Sequence, residues 1–128
     1  MLSADDLRAE LTGDERDLSQ EPQVFVRIRR ELLERMAGGR TTVVDATNLW
    51  PAKRGRHIRV ARSLHRPVVA VLFGDVPLEE LLARNAARPN PVHPGAVVTM
   101  SRQAASITAE QLLAEGVDAV LRAPTRRA

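Results

Sequence analysis

Apolar positions along this chain switch between two spacings, and the switching predicts helices interleaved with short strands. Ser3 reads as a cap for a short helix over residues 5–11, ahead of the acidic pair Asp5-Asp6, and residues 12–17 are polar and loop-like. From 22 to 37, Phe25, Ile28, Leu32, Leu33 and Met36 recur at helical spacing, with Pro22 near the start and Gly38-Gly39 past the end. Thr41-Thr42-Val43-Val44 is a β-branched run that halts at Asp45, so residues 41–45 read as a buried strand delivering a carboxylate to a sheet edge. Pro51 opens a basic helix to about residue 65, Arg66-Pro67 breaks it, and residues 68–73 form a second strand. Asp75-Val76-Pro77 turns into a helix with Leu78, Leu81 and Leu82 facing inward, ending near Arg88-Pro89. Residues 89–95 hold three prolines and make a loop long enough for a mobile flap, followed by a helix over 96–105. Thr108 with Gln111 forms a capping box for a helix through residue 114; Gly116 closes it, and residues 117–121 read as a third strand.

This alternation predicts an α/β fold with a parallel sheet flanked by helices. At 128 residues the chain suits one domain, taken as residues 1–121 with a frayed basic tail over 122–128. The core is Ala, Val and Leu, since Phe25, Phe73 and Trp50 are the only aromatics. The absence of cysteine excludes disulfides, thiolate catalysis and cysteine-ligated zinc. No run approaches a membrane span or a signal-peptide core, so a soluble, cytoplasmic protein without a membrane partner is expected; oligomeric state is left open. The net charge of +3 comes from 18 arginines and Lys53 against 16 acids. Arginine forks suit a phosphate-rich ligand. GC-rich coding produces the same bias, so only the position of particular arginines counts.

Three clusters could carry chemistry. Asp5-Asp6 with Arg8 offers a carboxylate able to take a proton from a hydroxyl and a cation one turn on; spacing alone favours a plain acidic helix start. Asp45 with Thr47 and Asn48 can hold a magnesium-bound water, orient an acceptor or bond a phosphate; the same residues can form an Asx-type turn. Arg84 and Arg88, four apart, could grip a transferring phosphoryl group from one helix face, or be two solvated arginines. Arg59, Arg62 and Arg66 share a helix face and could follow a nucleic-acid backbone, or simply be solvated. His57, His65 and His93 lack ligand spacing, so no metal is assigned to them, and Ser101 and Ser106 have no histidine to activate them.

Taken in order, these pieces resemble the kinase domain of bacterial polynucleotide 5′-kinases and related small P-loop (AAA-type) kinases. The resemblance rests on Ser3-Ala4-Asp5-Asp6-Leu7-Arg8, Gly13-Asp14-Glu15, Asp45-Ala46-Thr47-Asn48, Asp75-Val76-Pro77-Leu78-Glu79-Glu80 and Arg84-Asn85-Ala86-Ala87-Arg88-Pro89. It implies a P-loop NTPase-like three-layer sandwich with a lid over about residues 84–99. It also implies Asp5 as the general base, Arg8 on the acceptor's neighbouring phosphate, and Asp45, Thr47 and Asn48 beside the acceptor pocket. Arg84 and Arg88 become lid arginines on the donor phosphates. The family's reaction moves the γ-phosphoryl of a nucleoside triphosphate, ATP with Mg2+, to a hydroxyl of a nucleic-acid 5′ end or a small molecule.

One departure dominates. Such domains begin with a strand, a Gly-x-x-x-x-Gly-Lys-Ser/Thr loop and a helix, and the sequence contains no such loop. Loss of that strand leaves two exposed strand edges or forces new pairing. Gly74 is an extra residue before Asp75, and Val92-His93-Pro94 replaces a tighter Val-Pro at the lid. The expectation is a kinase domain missing its first strand, phosphate loop and first helix, through a misassigned start at Met1 or a decayed gene. Such a chain should bind nucleotide weakly or not at all and be inactive alone. The competing expectation is a non-catalytic nucleic-acid or nucleotide binding module using Arg59, Arg62, Arg66 and the lid arginines, or an inert remnant.

Overall fold

A computed structural model describes residues 1–73 and 76–123. Asp75, assigned above to the turn into a helix, the extra residue Gly74 before it, and residues 124–128 of the basic tail lie outside the described residues. The chain divides into two compact units, Met1–Pro67 and Val68–Ala128.

In the first unit, strand β1 (Leu2–Ser3) runs parallel to β2 (Val44–Asp45), in the register Leu2↔Val44 and Ser3↔Asp45. Two residues hold no alternation, which is why the apolar pattern gave no sign of β1. The expected strand over 41–45 is laddered only at its last two residues, with Leu2 N–H donating to the Val43 carbonyl at 2.7 Å just before. Helix α1 (Ala4–Thr12) follows β1 directly: Ser3 Oγ accepts from the Asp6 N–H at 3.3 Å, and Asp5 and Asp6 face the positive end of the helix. Gly13 stops it in the left-handed region at φ +82, a conformation that a side chain would strain.

A 3-10 turn (Leu18–Gln20) leads into α2 (Glu21–Ala37), whose buried stripe is Val24, Ile28, Leu32 and Met36, each one turn apart. Phe25 and Leu33, expected in that stripe, flank it half-buried. Val24 and Ile28 pack with Ala4 and Leu7 of α1, and Phe25 and Ala46 close the cluster's edge. Burying an aliphatic side chain of this size is worth about 1.5–3 kcal/mol, so the α1–α2 seam holds the two helices together. Helix α3 (Pro51–Ser63) packs on α2 and buries Ile58, Val60 and Ala61 together with the stem of Arg54. It ends two residues before the expected limit, with His65 in the left-handed region at φ +55.

In the second unit, β3 (Val69–Phe73) pairs in parallel with β4 (Ala119–Ala123) along five residues, from Val69↔Ala119 to Phe73↔Ala123. β4 starts two residues later than expected because Asp118 serves as a clasp. Its N–H donates to the Val68 carbonyl at 2.8 Å, and its Oδ2 accepts from the Val68 N–H at 2.7 Å. Between the strands lie α4 (Leu78–Ala86), α5 (Pro94–Ser106) and α6 (Ala109–Glu115). The N-cap is formed as expected: Thr108 Oγ1 accepts from the Gln111 N–H at 3.1 Å, and Gly116 ends α6 at φ +116. Leu78 is exposed where an inward position was expected, Leu81 and Leu82 are half-buried, and the buried residue of α4 is Asn85.

The expected single parallel sheet is therefore two separate two-stranded parallel sheets among the described residues, β1-β2 and β3-β4. Hydrophobic period identifies a strand but not its neighbour, so pairing was beyond its reach. The fold class stands as a helix-rich α/β arrangement with small parallel sheets. Among the described residues no helix is long and apolar enough to cross a membrane.

Candidate functional site

Parallel pairing brings the ends of β1 and β2 out on the same side, with the strands about 4.8 Å apart. Asp45 is the last residue of β2, and Asp5 sits in the first turn of α1, two residues after the end of β1 paired to it. Asp5 and Asp45 thus both lie at the carboxyl end of one strand pair.

The surroundings of Asp5 are basic. Arg8 Nη1 donates to Asp5 Oδ1 at 2.7 Å, and Arg16 Nη1 lies 3.4 Å from Oδ2. Arg8 also donates from Nη1 to the Glu15 carbonyl at 2.9 Å, from Nε to Glu21 Oε1, and from Nη2 to Glu21 Oε2 at 3.1 Å. A guanidinium has five N–H donors, so these bonds occupy four and leave one on Nη2. The hydrogen bond to Glu21 raises the Arg8 pKa above its ordinary value; burial opposes this, and Asp5 adds to the rise. Arg8 is a buried cation holding α1, the following loop and α2 together while fixing the Asp5 carboxylate.

Asp45 and Thr47 are exposed at the turn after β2. Asn48 adopts the left-handed conformation at φ +48, and its Nδ2 donates to the Val44 carbonyl at 3.3 Å. Asparagine tolerates this conformation better than most residues because its short amide bonds locally. Buried Arg54 donates from Nη1 to the Asn48 carbonyl at 3.0 Å. The side chain of Asn48 therefore closes the turn that presents Asp45 and Thr47.

Arg84 and Arg88 belong to the second unit. Arg84 is half-exposed and ion-paired with Glu80 one turn earlier. Helix α4 stops at Ala86, so Arg88 lies past its end, with its N–H donating to the Asn85 carbonyl at 3.1 Å. The shared helix face assumed for the two arginines does not extend that far. The loop after α4 is pinned by Asn85, whose Oδ1 accepts from the Val92 N–H at 2.9 Å and whose Nδ2 donates to the Val92 carbonyl at 2.6 Å. His93 Nδ1 then accepts from the Gly95 N–H at 3.0 Å and caps α5.

Glu21, Arg16 and Arg54 were missed by sequence reasoning. Their partners lie across turns that spacing does not specify. A hollow of about 210 Å³ beside α1 is lined by Ser3, Asp6, Glu10, Glu31 and Arg35, so it takes the other member of the acidic pair. A magnesium–nucleoside triphosphate needs a cradle of backbone N–H groups with a lysine, and the sequence has no Gly-x-x-x-x-Gly-Lys-Ser/Thr run. Among the described residues no three His, Asp or Glu side chains gather as metal ligands. The residues present do not by themselves fit the donor nucleotide.

No curated protein shows significant similarity to the chain. A family model described as AAA domain matches residues 1–107, which takes in both strands of the first sheet, the Asp5–Arg8 cluster, the Asp45–Asn48 turn, Arg84 and Arg88. The chain belongs to the AAA domain family, P-loop NTPase-like proteins whose function is, at the coarse level, nucleotide-binding and kinase-like.

Proposed function

We propose that this chain is the acceptor-side portion of a P-loop phosphotransferase domain, with its donor nucleotide held by a phosphate loop outside this sequence. The observation that carries the reading is the Ser3↔Asp45 register, which brings Asp5 and Asp45 out at the same end of a parallel strand pair. In this reading Asp5 accepts the proton of the acceptor hydroxyl. Arg8 and Arg16 hold the Asp5 carboxylate in place, and the remaining Arg8 donor faces the acceptor's neighbouring phosphate. Asp45, Thr47 and Asn48 border the acceptor, with Asn48 shaping the turn. ATP with Mg2+ would supply the phosphoryl group when bound, and a role for Arg84 and Arg88 on its phosphates is what the family resemblance implies. The acceptor is a hydroxyl on a nucleic-acid 5′ end or a small molecule.

Nucleotide-dependent melting tests this reading. ATP–Mg2+ is expected to leave the melting temperature of this chain unchanged, and to raise it once a strand–phosphate loop–helix segment is joined at the N-terminus. Ligand at 100 times its Kd adds about 2.7 kcal/mol. A joined protein that folds yet shows no rise would refute the reading.

A further inference from the structure

The first unit carries a charge separation that the phosphotransfer reading does not use. The ion pairs of α1 and α2 engage Arg8, Arg16, Arg27 and Arg35 with Asp5, Glu10, Glu15, Glu21 and Glu31. From Ala46 to Pro67, by contrast, the chain has six Lys or Arg residues and no acid. Helix α3 lies in that stretch. Ile58, Val60 and Ala61 are buried, while Arg56, Arg59 and Arg62 point to solvent. At a rise of 1.5 Å per residue these three arginines span about 9 Å along the helix axis, enough for two or three successive backbone phosphates.

Two further details shape this surface. A Cβ on Gly55 would sit 3.2 Å from Arg59 Nη1, so the bare glycine leaves room for the guanidinium to lie back over the helix. At the other side, Lys53 Nζ and Arg56 Cζ stand 5.4 and 5.3 Å from the centre of the Phe25 ring. Exposed Arg29 is one turn from Phe25 on α2. An aromatic ring ringed by cations beside a ridge of arginines is the composition of a surface that tracks a nucleic-acid strand.

We propose that the solvent face of α3, with Phe25 and Arg29 of α2 at its border, binds the phosphodiester backbone of a nucleic acid. An anionic lipid surface fits less well, because the apolar side of α3 is buried and leaves nothing to insert. An acidic protein partner fits less well too, since a stable protein interface has an apolar centre and this face offers guanidinium groups with Gly55 and Ser63 between them. Arginine forks match phosphate geometry, and protein–nucleic-acid interfaces are polar and positive. The proposal needs no phosphoryl transfer, so it stands or falls separately from the preceding reading.

The test is fluorescence anisotropy of the full chain with short labelled oligonucleotides, single-stranded in one arm and duplex in the other, from about 50 to about 200 mM salt. Binding in either arm is expected, with affinity falling as salt rises at a slope of about −2 to −3 on logarithmic axes. The triple variant R56Q/R59Q/R62Q should lose about tenfold in affinity at low salt and about two units of that slope, with an unchanged melting temperature. R30Q/R102Q/R122Q, which has the same net charge, should keep both. No binding at low salt, or equal loss in the two variants, would overturn the proposal. So would binding to anionic vesicles without binding to either oligonucleotide.

Discussion

Arg8 grips Glu21 with two parallel N–H···O bonds, Nε to Oε1 and Nη2 to Oε2, and so ties α1 to the first residue of α2. The same guanidinium holds Asp5 and the Glu15 carbonyl. One buried cation therefore links the scaffold of the first unit to its proposed proton acceptor.

Removing it should be felt in stability. The Arg8 side chain is 10% exposed and that of Glu21 24%, so Arg8→Leu leaves a largely buried carboxylate without its partner. The expected loss is about 2–4 kcal/mol, read from denaturant unfolding. Arg8→Lys should recover only part of it, because an ammonium cannot reproduce the paired fork. A loss below about 0.5 kcal/mol for Arg8→Leu would show that the network is solvent-screened.

The turn after β2 predicts a ranking. Asn48 is left-handed, so Asn48→Gly should change stability by less than about 1 kcal/mol, whereas Asn48→Val should cost about 2 kcal/mol or more. Equal effects of the two substitutions would mean that backbone conformation does not set the requirement at this position.

His57 makes the stability pH-dependent. Burial, with a smaller contribution from neighbouring Arg56, pushes its pKa below the ordinary 6.5. The folded state then binds fewer protons than the unfolded state just below pH 6.5. Stability is full above that value and falls as pH drops through the window beneath it. His57→Gln should remove this part of the pH dependence in melting curves. Asp17, whose pKa is lowered by the Ser19 hydrogen bonds, acts in a lower window, beneath pH 3.8, and should leave the His57 signal untouched.

Asn85 predicts a protease effect. Its side chain is buried and bonds both the N–H and the carbonyl of Val92. Asn85→Ala should cost about 2 kcal/mol and open residues 87–93 to limited proteolysis, mapped by mass spectrometry. Unchanged cleavage would mean that the loop is held by other contacts.

What could be read from the sequence was what is local. Ser3, Thr108 and Gly116 announced their helix ends because a cap involves residues only a few positions apart. The α2 period was plain, although the buried stripe centres on Val24 in place of Phe25, which meets Lys53 and Arg56 at the edge. The two-residue strand β1 was invisible, as was the separation of β1-β2 from β3-β4, since pairing depends on partners distant in the chain. Burial of Arg8 and Arg54 was hidden for the same reason: the groups that satisfy them, Glu21 and the Asn48 carbonyl, are brought up by the fold. Asp5 and Asp45 were both named from sequence; that they share one end of a strand pair came from the register.

The most direct test of the phosphotransfer account is transfer of labelled γ-phosphate from ATP–Mg2+ to a hydroxyl acceptor by this protein joined to a strand–phosphate loop–helix segment, with and without Asp5→Asn. The account predicts transfer by the joined protein and a drop of about 10²–10⁴-fold with Asp5→Asn at an unchanged nucleotide-induced melting shift. Equal rates for the two proteins, or no transfer despite restored nucleotide binding, would contradict it.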